Sequence, residues 1–512
     1  MNLKIFAIVL YAICFALVLG ILLPASSGAM TDRNFSGSTG SEAKHPFQAP
    51  IREQFVNRTI ALINPVFESG IPFIAPDLVP GSGNSTEKLF KLNSSQFSFQ
   101  KKPSLASSIA SKINSQKPPP GTLPATPPSE EALAVVQANN QFAIDLYSRL
   151  ATDPGHAAGN IFFSPWTISS ALALTYEGAR GATADEIRSV FHFPSSYTTL
   201  REGYSEVLAR LNAGDSGYAL YTANALWAEE THPFLPDYTS TADQYYGAKT
   251  TNLDFVNEPE ASRTTINRWV EDKTCDRIRD LIPEGAIDPA TLLVITNAIY
   301  FKGTWETQFE PSNTIEEDFH VTPSLTVRVP MMKMTHVDAV YSYAETDTLQ
   351  VLGMPYAHTG GKGLSMLVLL PKENDIEALE NALSAARIAE LNQALVHRQV
   401  NVYFPRFRME TSYGLSETLA GMGMPSAFGG ADFSGMDGTR DLFIDKIFHK
   451  AFVDVNEEGT EAAAATAVIA VRSLGPMEPV PVFRADRPFL FLIQDNDTGN
   501  ILFIGRVVDP AG

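Results

Sequence analysis

The apolar and polar positions divide the chain into an opening apolar run, an aperiodic stretch and a long periodic body. The run is Ile5 to Leu23. From residue 30 to 128 no period is sustained; Ser, Pro, Asn and Gly dominate. The stretch ends in SQKPPPGTLPATPPSEE, whose prolines favour a stiff, extended linker. From Ser129 the pattern becomes periodic. EEALAVVQANNQFAIDLYSRL sets Leu133, Val136, Ala143, Leu146 and Leu150 on one helical face. NIFFSPWTISSALALTYEGARG reads as a short apolar run and then a helix begun at Ser164-Pro165. GATADEIRSVF opens a helix with Thr183 and Glu186 spaced as a capping box. ASRTTINRWVEDKT is another helix. Strand patterns then take over. ATLLVITNAIYFKGTW is a long, nearly continuous buried strand, and LTVRVPMM, LSMLVLLP, QVNVYFPRF, PFLFLIQ and NILFIGRVV follow. Helices first and strands later predict an α+β fold with large sheets.

One segment fits neither period simply. NEEGTEAAAATAVIAVRSLGP, residues 456 to 476, is helix-capable by its alanines but has no stripe of large apolar residues to hold a helix on a core. Taken as a strand, its alternate residues are Thr460, Ala462, Ala464, Thr466, Val468 and Ala470. One face is then small and uncharged, while Glu461 opens the other. That pattern suits a strand slid between two existing strands, where large side chains would clash. Gly459 supplies a flexible start.

Composition narrows the setting. The chain has 512 residues with a net charge of -19. The charge is uneven: residues 30 to 128 hold ten Lys/Arg and six Asp/Glu, whereas residues 129 to 512 hold 27 and 51. That acidity excludes a nucleic-acid partner, which needs clustered cations. Residues 1 to 29 read as a signal peptide, with Lys4 before the apolar run and Ser27-Gly28-Ala29 after it, or as an uncleaved N-terminal anchor tethering the chain to a membrane through residues 5 to 23. A secreted, extracellular protein is expected, or one held on the extracytoplasmic face. Of the two cysteines Cys14 lies in the signal, so Cys275 is left without an intrachain partner. Asn34, Asn57, Asn84, Asn93 and Asn496 sit in glycosylation sequons.

Catalytic chemistry is not apparent. No HExxH, Cys/His cluster, Walker A or GxSxG motif occurs, so no metal and no cofactor are expected. GDSG at 214 to 217 stands alone in a loop, and Cys275 in KTCDRIRD is a single cysteine at a helix end, more often incidental than a nucleophile.

From about residue 130 to 512 the chain resembles the serpins, the serine protease inhibitor family. NIFFSP, TNAIYFKGTW, VPMM, VYFPRF, HKAFVDVNEEGTEAAAAT, RPFLF and ILFIGRVVDP match that family's landmarks in order. The resemblance implies helices packed on a large central sheet, two smaller sheets and an exposed reactive loop. It implies a suicide-substrate inhibitor and not an enzyme. A protease attacks the loop, and the cleaved loop inserts into the main sheet before the acyl-enzyme is hydrolysed. The hinge would be Glu457, Glu458, Gly459, Thr460, Glu461, Ala462, Ala463, Ala464 and Ala465. Arg472-Ser473 would be the reactive bond, because Arg fills an acidic trypsin-like pocket. Family spacing from Glu457 points instead to Ser473, and spacing back from Pro488 to Met477, the loop being about four residues longer than usual for the family. Ser164, Thr167, Asn297 and His449 fall where serpins place the polar cluster that controls sheet opening. Trp305 lies where the loop first enters, and Glu457 would pair there with Arg406.

The implied partner is a trypsin-like serine protease bound covalently by a monomer. Residues 194 to 215 show no basic run and so no heparin site. A non-inhibitory carrier or storage protein of the same fold, and a surface-tethered interaction protein, are the other readings.

Overall fold

The computed structural model describes residues 127–212, 218–336, 339–358, 363–460 and 479–512. The signal or anchor, the Ser/Pro-rich stretch, GDSG, the rest of the hinge from Glu461 to Ala465, and the bait positions Arg472, Ser473 and Met477 lie outside the described residues.

Ser129 caps the first helix, α1 (Glu130–Thr152), by accepting from the Ala132 N–H. Its buried face carries Val136, Ala143, Leu146 and Leu150, but Leu133 is 45% exposed. Leu133 lies about 100° round the helix from that face, the rotation of a single residue step. Next come α2 (Pro165–Gly178), α3 (Gly181–Val190), α4 (Tyr197–Leu211), the short α5 (Pro236–Thr241) and α6 (Pro259–Lys273). Helix α2 is buried along its whole length, its polar residues included.

The capping box expected at α3 does not form. The helix starts at Gly181, ahead of Thr183. Thr183 instead accepts from the Asp432 N–H, and Glu186 accepts from the Ser426 N–H and hydroxyl. Both side chains serve a distant segment and not their own helix end.

Three sheets follow. One runs β1 (Ile161–Phe163), β17 (Ile501–Val507), β16 (Phe489–Asp495), β9 (Leu364–Pro371), β8 (Leu349–Pro355), β7 (Val340–Glu345), β10 (Val396–Gln399). The smallest runs β15 (Val482–Arg484), β11 (Asn401–Pro405), β6 (Leu325–Met334), β5 (Ile315–Thr322). The third has six strands: β12 (Phe407–Gly414), β13 (Lys446–Val455), β14 (Gly459–Thr460), β4 (Leu293–Thr304), β2 (Tyr218–Glu229), β3 (Lys249–Leu253). It contains the longest strands, β2 and β4, of 12 residues each. QVNVYFPRF, expected as one strand, is divided among all three sheets: Gln399 ends β10, Asn401–Pro405 forms β11 and Phe407 begins β12. Breaks at Val400 and Arg406 turn the chain from one sheet to the next.

Within the six-stranded sheet β4 is buried on both faces from Leu293 to Phe301, which is why it reads as a nearly continuous apolar run. Ile295, Ile299 and Phe301 face the main core, while Val294, Ala298 and Tyr300 face α6 through Ile266 and Val270.

Candidate functional site

Within this sheet β4 and β13 run parallel and pair directly from Val294–Lys446 to Tyr300–Phe452. Beyond that point they fork, and β14 fills the fork. Thr460 pairs with Val455 on one side and Gly303 on the other, and Gly459 pairs with Thr304, all antiparallel.

The chain reaches the fork through a tight turn. Asn456 Oδ1 accepts from the N–H groups of Glu458 (3.0 Å) and Gly459 (3.3 Å), and the Asn456 N–H donates to the Gly459 carbonyl (2.9 Å). Such Asx turns are what asparagine supplies locally. Gly459 has φ +150°, and a Cβ there would lie 2.1 Å from the Gly303 carbonyl oxygen. Glycine is required because the backbones nearly touch.

Trp305 holds the turn from β4. Its backbone N–H donates to the Glu458 carbonyl (2.9 Å) and its indole N–H to the Asn456 carbonyl (3.0 Å). Arg406 Nε is 3.5 Å from Glu457 Oε2, and its side chain is 49% exposed. The shorter partner of Glu457 is the Thr314 hydroxyl, donating to Oε1 at 2.7 Å. Glu458 is exposed, whereas Thr460 is fully buried and shares a 3.0 Å hydrogen bond with the Tyr356 hydroxyl.

Deeper along the seam lies a polar cluster. Asn297 on β4 stands opposite His449 on β13 and Asn224 on β2. Asn297 Oδ1 accepts from the Thr167 hydroxyl (2.8 Å) and from His449 Nδ1, and its amide donates to Asn224 Oδ1 (2.6 Å). The Ser164 N–H donates to His449 Nε2 (3.2 Å), and the Ser164 hydroxyl donates to the Leu502 carbonyl (2.7 Å). With Nε2 accepting, the His449 proton sits on Nδ1 and the ring is neutral. Burial pushes the His449 pKa down to about 3. The structure thus brings Ser164, Thr167, Asn297 and His449 together across three elements. Tyr356, Asn224, Asn456 and Thr314 were not singled out in the sequence; only the turn tendency of Asn456 gave a local signal.

Elsewhere Cys275 is free and exposed, with a left-handed φ of 53°. Among the described residues Glu229, Glu230 and Asp254 approach metal-ligand spacing, but Glu229 already accepts from the Phe255 N–H at 2.6 Å.

The family model for serpin (serine protease inhibitor) matches residues 137–510, and the chain belongs to the serpin family. A serpin-like protein of Methanosarcina acetivorans is 42% identical over 380 residues, covering 73% of this chain and 88% of that protein. The leukocyte elastase inhibitor of Homo sapiens is 41% identical over 382 residues, covering 73% and 98%. The crystal structure of Serpin48 from the insect Tenebrio molitor superposes with a TM-score of 0.66 at 31% identity, covering 74% of this chain and 99% of that one. Membership relates the chain to protease inhibitors and not to enzymes.

Proposed function

We propose that the protein is a secreted, single-use inhibitor of trypsin-like serine proteases, acting by insertion of its cleaved loop into the six-stranded sheet. The observation that carries this reading is β14: two hinge residues are hydrogen-bonded between β4 and β13 before any cleavage.

Extending those two pairings one residue at a time gives the register of a full insertion. On that register Ala462 would fall between Phe301 and Val453, Ala464 between Ile299 and Ala451, and Thr466 between Asn297 and His449. The core-facing residues would be small along the fork and at the directly paired positions beyond it, and a hydroxyl would arrive at the polar cluster. The alanine run therefore fits the seam position by position.

In the proposed reaction the protease serine attacks the Arg472 carbonyl carbon. The peptide bond breaks, the new amine leaves on Ser473, and Arg472 remains esterified to the protease. The loop then extends β14 toward the cluster and carries the protease with it. Inhibition requires insertion to outrun hydrolysis of that ester. The relative named leukocyte elastase inhibitor supports a second target class, with Ser473 presented to a small specificity pocket.

The test is to mix the purified protein with trypsin and with an elastase, run a denaturing gel and sequence the released peptide. A denaturant-stable complex with trypsin, and a peptide beginning at Ser473, is expected. Cleavage by both proteases with no complex would overturn the inhibitory reading. Secretion is tested separately by N-terminal sequencing of the exported protein, where a start near Met30 is expected.

A further inference from the structure

Tyr356 lies outside the six-stranded sheet, just past the end of β8, yet it reaches the hinge. It forms a lone antiparallel bridge with Trp305. Backbone bonds on either side fix it there: Glu306 N–H to the Pro355 carbonyl (2.9 Å) and Ala357 N–H to the Thr304 carbonyl (2.7 Å). Its ring stacks on Trp305 (centroids 4.6 Å apart, planes 14°) and meets Phe301 edge-on at 4.9 Å. The ring occupies the space a side chain at residue 303 would take, since a Cβ on Gly303 would lie 2.8 Å from Tyr356 Cδ1. From this fixed position its hydroxyl meets Thr460. Both residues are fully buried, and burial pushes the phenol pKa up, so the hydroxyl stays protonated.

We infer that Tyr356 is a positioning residue for loop insertion, its hydroxyl holding Thr460 in the register from which the cleaved loop extends. This deepens the inhibitory reading and rests on it for its kinetic consequence. Trp305 bonds the turn at Asn456 and Glu458, and Tyr356 bonds Thr460 at the start of the strand. The stacked aromatic pair thus holds the turn through Trp305 and the two-residue strand through Tyr356. Adding a strand residue by residue is fast once a paired nucleus exists, so a clamp that preserves the nucleus removes the slow first step. Because Tyr356 follows β8 and is bonded to the end of β4, it ties the β4 side of the fork to the seven-stranded sheet.

The experiment uses the full protein and two readouts. Hydrogen exchange is followed at the Gly459 and Thr460 amides of the uncleaved protein. The stoichiometry of inhibition is measured against the protease that forms a complex. Tyr356→Phe keeps the ring stack and removes only the hydroxyl. It should speed exchange at these amides by about 3- to 10-fold, the range of one buried hydrogen bond, without altering exchange in β16 and β17. Thr460→Val should do the same, and the double variant should add nothing beyond either single change. The stoichiometry should rise several-fold while the rate of loop cleavage stays unchanged. Unchanged amide exchange in both single variants would overturn the clamp. Faster exchange with unchanged stoichiometry would overturn its part in insertion. If the parent protein traps no protease while exchange still responds, the inhibitory reading falls and the clamp stands.

Discussion

Gly459 rests against Gly303 so closely that a methyl group on it would sit 2.1 Å from the Gly303 carbonyl oxygen. Gly459→Ala cannot be absorbed by a side-chain rotation, because the atoms in the way are backbone. Overpacking of this kind costs on the order of 1–3 kcal/mol, and expelling a two-residue strand is the easier response. The expected outcome is loss of protection at the Thr304 and Thr460 amides, read by hydrogen exchange, with a higher stoichiometry of inhibition. Retained protection would mean that β4 yields instead.

Thr460→Arg places a guanidinium on the core side of the sheet, against Tyr356 and Phe301. Burying an unpaired charge there is strongly unfavourable. The variant should be cleaved normally and form little stable complex, becoming a substrate. Trapping at unchanged stoichiometry would show that the first core-facing position of the inserting strand lies elsewhere.

The His449 ring gives a pH dependence with a definite sign. Its folded pKa of about 3 lies below the unfolded value of about 6.5, so the unfolded chain binds a proton that the folded one refuses. The stability it contributes is complete above about pH 6.5 and falls as pH drops toward 3, by about 1.4 kcal/mol per pH unit. Burial raises the pKa values of Asp445 and Asp495, which pull the other way, so comparison with His449→Gln isolates the histidine. Melting temperatures from pH 7 to 4 should fall more steeply for the parent than for the variant. Parallel curves would refute a neutral buried ring.

Glu457 is held more by Thr314 than by Arg406. Arg406→Ala should cost less than about 1 kcal/mol, since the pair is long and half exposed. Thr314→Val removes a 2.7 Å bond to a largely buried carboxylate and should cost about 1.5–3 kcal/mol. Denaturant unfolding of the two variants would reveal a reversed order if the ion pair is the real latch.

Cleavage of the loop should raise the melting temperature, because a severed segment can complete the sheet. Calorimetry before and after clean cleavage between Arg472 and Ser473 measures it. An unchanged melting point would contradict insertion.

The sequence was legible where one physical signal dominated. A strand buried on both faces is apolar throughout, so β4 could be placed by inspection. Ser164 before Pro165 announced α2, and the spacing of the serpin landmarks located Asn297 and His449. It was misleading where a local pattern served a distant partner. Thr183 and Glu186 have capping-box spacing but bind Asp432 and Ser426. The run around Val402 looks like one strand, because nothing local records that its two ends join different sheets. Tyr356 and Asn224 were invisible for the same reason. Each acquires its partner only when strands far apart in the chain are laid side by side, and a tyrosine or asparagine at a strand position carries no mark of that.

The forked pairing of β4 and β13 also bears on where a driving force would come from. Two parallel neighbours share a single slanted ladder, the weaker kind. A chain segment entering antiparallel to both would exchange that ladder for two perpendicular ones, and each residue that enters would find donors and acceptors on either side. Two residues have already done so. The rest of the fork resembles a partly closed zip, with direct β4–β13 pairing as its open arrangement and a further strand as its closed one. Protein design ordinarily protects a sheet at its outer edges; here the vulnerable edge lies in the middle, and a proteolytic cut would decide when it is used.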